Sequence, residues 1–263
     1  MISLQGVTKR YDDTTVVDGV SLDVAEGEML VLLGGSGSGK TTTLKMVNRL
    51  VEPTSGRIHL AGRDVTADPP HALRRSIGYV FQRIGLFSHM TVAENIAVTP
   101  SLLGWDTART RARTDTLLDL VELDPARVRD RYPNELSGGQ AQRVAVARAL
   151  AAEPRVILFD EPFGALDPLT RERLQRSLLR IKKQLSLTAM FVTHDLSEAC
   201  LLADRIAILK DGKLIQVGTP AEIANAPATP EVAEWIGTPK RQWEETAARL
   251  AGAPASPELT PSP

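Results

Sequence analysis

There is a single cysteine in the chain, Cys200. A lone thiol can close no internal disulfide and cannot build a cysteine-based zinc cluster, so a reducing, cytoplasmic compartment is expected. Aromatic residues are scarce at 4%, which argues against the stacked platforms that bind single-stranded nucleic acid. Charge of one sign is lacking as well. The 31 basic and 32 acidic residues leave a net −1, without the basic excess of a nucleic-acid binder, so no nucleic-acid partner is expected. Long apolar runs are missing: Met29–Leu33 is far too short to span a bilayer. The opening residues, Met1 to Gly6, have neither the basic region nor the long apolar segment of a secretory signal. What is present is ordinary for a folded α/β protein. The 263 residues are 43% hydrophobic and 24% charged, enough for one large domain, or one with a subdomain, around a sizeable core.

Periodicity gives the organisation. Val16-Val17 and the alternating Val20–Val24 flank Asp18-Gly19 as strands around a turn signal. Met29–Leu33, Val156–Phe159 and Ala189–Val192 are continuous apolar runs, which suggests strands buried on both faces of a parallel sheet. Helical spacing marks about 41–50, 107–123, a stretch from the Gly-Gly pair after Pro133 to about Ala152, and 174–185. Ile206–Ile215 has the pattern of a hairpin around Asp211-Gly212. The alternation predicts a parallel α/β sheet with a helical insertion. Four of the last ten residues are proline, and a flexible tail is expected over 238–263.

Two segments carry recognisable chemistry. Gly34-Gly35-Ser36-Gly37-Ser38-Gly39-Lys40-Thr41 fits the P-loop pattern between a buried strand and a helix. Glycines let the backbone curl so that successive N–H groups face phosphate oxygens. Lys40 would reach the β- and γ-phosphates, and the Thr41 hydroxyl, followed by Thr42, would serve Mg²⁺ and nucleotide. Downstream, the strand ending in Asp160-Glu161 offers one carboxylate for Mg²⁺ and one to polarise the attacking water. Alone, such a pair is equally a simple strand exit.

Leu136-Ser137-Gly138-Gly139-Gln140 again places Ser and two glycines at a helix N-terminus, which receives an anion. On its own it is also an ordinary Ser cap with a glycine hinge. It has no Lys and no Mg²⁺ hydroxyl, so it can clasp phosphate without hydrolysing anything. One full site plus one clasp per chain points to two chains completing two sites between them.

With these motifs in this order, the chain resembles the ATP-binding subunit of an ABC transporter over about Ile2 to Gly237. The resemblance adds Tyr11 as the aromatic that stacks on adenine and Gln82 as the Q-loop glutamine contacting Mg²⁺ or water. It also makes Ala165-Leu166-Asp167 the D-loop and His194 the switch histidine at the γ-phosphate. Two departures are mild: Gly35 where the family often has Pro, and Gly164 where Ser is common. The fold so implied is a RecA-like P-loop core with an N-terminal antiparallel β-subdomain and an inserted helical subdomain at about 88–134 carrying the signature. Two copies, identical or paired ATPase subunits, would close head-to-tail on two ATP molecules. They would drive a separate multi-span permease at the cytoplasmic face of the membrane, served indirectly by an extracytoplasmic substrate-binding protein.

Residues 48–56 and 77–87 look most like importers of glycine betaine, choline, carnitine and proline, the quaternary-amine osmoprotectants. Import of another small solute, or a soluble ABC ATPase acting on ribosomes or DNA, are the alternatives. With some twenty-five residues past Gly237, the nucleotide-sensing pair that this family often adds is not expected. Gln82 to Met90 would face the permease. His59 is expected as a solvent-facing strand residue, His71 in a loop, and Arg109-Arg111-Arg113 on a solvated helix face. No structural metal is expected.

Overall fold

A computed structural model describes residues 1–164 and 166–250. Two sheets organise them. The smaller is antiparallel and pairs β1 (Ile2–Tyr11) with β2 (Thr14–Val24) and β4 (Ser55–Leu60), with the short β5 (Arg63–Asp64) at its edge. It is the β-subdomain the resemblance implied. Asp18-Gly19 does not separate two strands, as expected from sequence, but lies inside β2, where Gly19 takes a φ of 61°. A left-handed glycine lets a strand absorb an irregularity without ending.

The larger sheet has the order β10-β9-β3-β8-β7-β6. Here β3 is Met29–Leu33, β6 Ile77–Val80, β7 Val156–Asp160, β8 Thr188–Thr193, β9 Arg205–Lys210 and β10 Lys213–Gly218. All neighbours are parallel except the β9–β10 hairpin. The apolar runs are unbroken because both faces are covered. Met29, Val31 and Leu33 enter one core with the helices, whereas Leu30 and Leu32 enter a second core with the small sheet.

The helices α1 (Lys40–Val47), α6 (Gly138–Leu150), α7 (Pro168–Leu185) and α8 (Leu196–Leu202) pack on this sheet. The helical insertion follows β6: α3 (Val92–Leu102), α4 (Thr107–Leu120) and α5 (Pro125–Val128). Its starts are written in the sequence. Thr91 and Glu94 form a capping box, and Asp106 and Asp124 cap the next two helices.

Several expectations need correction. Gly237 falls inside the helix Pro230–Leu250, so the chain from 238 continues a helix instead of beginning a tail; residues 251–263 lie outside the described residues, as does Ala165. His71 is on α2 (Pro70–Arg75), where Pro at the first turn starts the helix. His59 is half-buried, with Nδ1 buried and unpartnered. Arg113 is not purely solvated: its guanidinium donates to the carbonyls of Leu150 (3.0 Å) and Ala151 (3.4 Å), and Arg109 stacks on Trp105. Among the described residues no helix is long and apolar enough to cross a membrane.

Candidate active site

Because β3, β7 and β8 are parallel neighbours, their C-terminal ends open at one edge of the sheet, where α/β folds gather ligands. The glycine loop leaves β3 there. Gly39 caps α1 with a φ of 94°, and a Cβ on it would sit 2.6 Å from the Val16 carbonyl oxygen, so the small sheet presses directly on the loop. Ser36 and Gly37 are exposed, Gly35 and Thr42 half-buried, and Ser38, Gly39 and Lys40 buried. Lys40 folds back: its ammonium donates to the carbonyls of Gly34 and Gly35, both at 2.8 Å, and to Ser38 Oγ at 3.4 Å. Burial pushes its pKa down, opposed by the nearby carboxylates of Glu161 and Asp160.

Asp160, 3% exposed at the end of β7, accepts from Thr41 Oγ1 at 2.9 Å through Oδ1. Its other oxygen faces Tyr79 OH at 3.1 Å and Lys45 Nζ at 3.6 Å. Glu161 follows in a left-handed conformation (φ 43°), its N–H donating to the Val192 carbonyl at 3.1 Å. Non-glycine residues are held there only when their surroundings enforce it, and such residues cluster at functional sites. Glu161 Oε2 lies 3.2 Å from His194 Nδ1 and accepts from Gln82 Nε2 at 3.4 Å. Lys40, Thr41, Gln82, Asp160, Glu161 and His194 therefore converge.

The remaining expected residues stand apart from this cluster. Tyr11 ends β1 beside Thr14 and is 45% exposed, with Lys9 Nζ 4.7 Å from its ring centroid. Ser137 and Gln140 satisfy each other in a capping box at the start of α6 (3.3 and 3.0 Å). That helix runs to β6, where the Ala149 carbonyl approaches Gly78. At 1.5 Å per residue the signature lies about 16 Å along α6 from that contact. Its neighbours are Leu166 beside Gly138 and Thr170 beside Gly139. Asp167 caps α7 through the Thr170 N–H at 3.0 Å, and hydrogen bonds from the Thr170 side chain and backbone hold its carboxyl below the usual range.

Sequence reasoning missed three residues. Thr41 and Lys45 are four apart, hence on one face of α1, which is how both reach Asp160. Tyr79 is a hydroxyl inside an otherwise apolar strand, and that was its only signal. Arg148, on the same helix as the signature, donates to the carbonyls of Gly85 (2.7 Å) and Ile84 (3.3 Å), clamping the segment after Gln82. Its place could not be read from spacing, because its partners are more than sixty residues away.

A family profile described as ABC transporter matches residues 17–164. A glycine betaine/carnitine/choline transport ATP-binding protein of Bacillus subtilis is 52% identical over 238 residues, covering 90% of this chain and 62% of that protein. An osmoprotectant import ATP-binding protein of Salmonella typhimurium is 49% identical over 242 residues, covering 90% of this chain and 63% of that protein. The chain thus spans somewhat under two thirds of the length of these relatives. Among solved structures, the dimeric bacterial ABC transporter cassette MJ0796 superposes with a TM-score of 0.75 at 35% identity, over 84% of this chain and 99% of that one. A post-hydrolysis dimer of the same cassette, bound to ADP and Pi, gives 0.74 at 34% identity, and the MJ0796 likeness bears out the RecA-like P-loop fold expected from sequence. The two sheets, the helical insertion and the converged loop and carboxylates are therefore those of a known architecture, and the chain belongs to the ABC transporter family.

Proposed function

We propose that the chain is the ATP-hydrolysing subunit of an importer, acting at the cytoplasmic face of the membrane through a separate permease. The observation that carries this is the division of the site: the loop, Asp160, Glu161, Gln82 and His194 meet at one sheet edge, while the signature clasp stands at the far end of α6. A second copy, facing the first head-to-tail, supplies the missing wall.

In this reading ATP lies over residues 34–42 with its adenine on Tyr11. Lys40 exchanges its carbonyl acceptors, Gly34 and Gly35, for the more strongly accepting β- and γ-phosphate oxygens. Thr41 Oγ1 and Asp160 Oδ1, 2.9 Å apart, are an all-oxygen pair that fits Mg²⁺, which keeps few protein ligands and completes its shell with phosphate and water. Bound there with Gln82 at its margin, Mg²⁺ would neutralise phosphate charge. Glu161 accepts a proton from the attacking water. Gln82 and His194 hold its Oε2 in place, and His194 presents its other ring nitrogen to the γ-phosphate. The partner's Ser137–Gln140 segment covers the γ-phosphate from the opposite side, with Asp167 beside it. Closure moves the permease, and hydrolysis releases it.

The transported solute is proposed from the relatives' names: a quaternary ammonium osmoprotectant such as glycine betaine, choline or carnitine, delivered by a binding protein. The test uses Glu161→Gln and Ser137→Arg. The first should bind ATP, turn over far more slowly and accumulate as an ATP-bound dimer. The second should bind ATP as a single chain yet lose turnover. A specific hydrolysis rate that stays constant on dilution to monomer overturns the shared site.

A further inference from the structure

Asp160 has two oxygens and three donors around it, distributed unequally. Thr41 takes Oδ1, while Tyr79 OH (3.1 Å) and Lys45 Nζ (3.6 Å) both address Oδ2. The torsion that turns a carboxylate about its Cβ–Cγ bond is soft, so an Asp without fixed partners samples a broad range of orientations. At 3% exposure there is little water to choose among them. Tyr79, Lys45 and Asp160 line one cavity of about 640 Å³, so the two donors stand where solvent would otherwise reach Oδ2. A phenol is neutral at ordinary pH, so Tyr79 OH serves as a fixed donor to Oδ2.

We propose that Tyr79 and Lys45 are positioning residues for the divalent cation: by holding Oδ2 of Asp160 they commit Oδ1 to the Thr41 side, where the cation and phosphates meet. The inference rests on Asp160 being the metal-facing carboxylate. Neither residue touches nucleotide or metal in this arrangement. Both act through Asp160, as the partners that orient ligating carboxylates do elsewhere, at a cost of about 10–100-fold in metal affinity when removed.

The experiment measures binding of a fluorescent ADP to the full chain with and without Mg²⁺, so that the metal-dependent gain in affinity is read without turnover. Tyr79→Phe should keep the metal-free affinity within about twofold and lose about tenfold of the gain. Lys45→Met should move the gain in the same direction. If Asp160→Asn abolishes the gain while Tyr79→Phe leaves it intact, the positioning role is overturned and the metal assignment stands. If Asp160→Asn itself keeps the gain, the assignment fails and takes the proposal with it. Equal losses with and without Mg²⁺ in Tyr79→Phe would show a packing role only, and also overturn it. Should Tyr79→Phe lose metal-free binding through misfolding, Lys45→Met, at a side chain 36% exposed, decides the matter: an unchanged gain there refutes the proposal.

Discussion

Gly78 is the point at which the signature helix rests on the sheet, and replacing it with alanine tests that contact. A Cβ built there would lie 2.6 Å from the Ala149 carbonyl oxygen, 2.9 Å from Ile157 Cγ1 and 3.2 Å from Pro154 Cγ. The nearest atom is backbone, so no rotamer change relieves it; β6 and α6 must separate. Overpacking of this kind costs about 1–3 kcal/mol. Against it, alanine narrows the unfolded ensemble, worth about 0.4–1 kcal/mol in the opposite direction. The balance is a destabilisation of about 1–2 kcal/mol, or roughly 2–8 °C in Tm for a chain of this size. Urea and thermal unfolding of Gly78→Ala read this directly. A variant as stable as the parent would refute the reasoning, since it would mean that α6 can leave β6 at no cost and that the signature is not held by this contact.

Two further outcomes are expected. Arg148→Ala would leave the carbonyls of Ile84 and Gly85 without their charged donor, lowering stability by about 2 kcal/mol. It would also speed amide exchange over residues 82–90, the loop after β6, more than in the large sheet; uniform exchange would count against the clamp. Glu198 is buried, and that burial raises its pKa above 4.5 despite hydrogen bonds from Thr193 and Gln175. Its folded form therefore binds a proton more readily than its unfolded form, so its contribution to stability is greatest below about pH 4.5 and is lost as pH rises through the folded value. Glu198→Gln, which keeps the acceptor for Gln175 Nε2 (2.9 Å), should accordingly gain stability over the parent near neutrality, with the advantage shrinking towards pH 4.5. An advantage independent of pH in urea titrations would rule out ionisation as its origin.

Local chemistry was legible wherever it is carried by neighbours in the chain. The three apolar runs became β3, β7 and β8 because burial on both faces favours apolar side chains along their length, the buried polar residues Asp160, Thr188 and Thr193 standing only at strand ends. The caps Thr91, Asp106 and Asp124 act within three residues, so they too are written locally in the chain, although only the helix from about 107 was expected from sequence. The C-terminal boundary was misplaced for the complementary reason. Proline-rich composition was extended back to residue 238, but the prolines that prompted it lie within 254–263 and residues 240–250 hold none, so nothing in the sequence there stops the helix that begins at Pro230 and runs to Leu250.

The sequence by itself determined which residues could bind phosphate, and the strand-to-helix context of the loop, since both depend on spacing within a dozen residues. Only the tertiary structure decided that Asp160 and Glu161 lie against Thr41, Gln82 and His194, that Lys45 and Tyr79 join Asp160, and that Arg148 holds the segment after Gln82. Parallel strands align their ends whatever the length of chain between them, so Thr41 meets Asp160 across 119 residues. No pattern along the chain encodes that distance; the register of β3, β8 and β7 sets it.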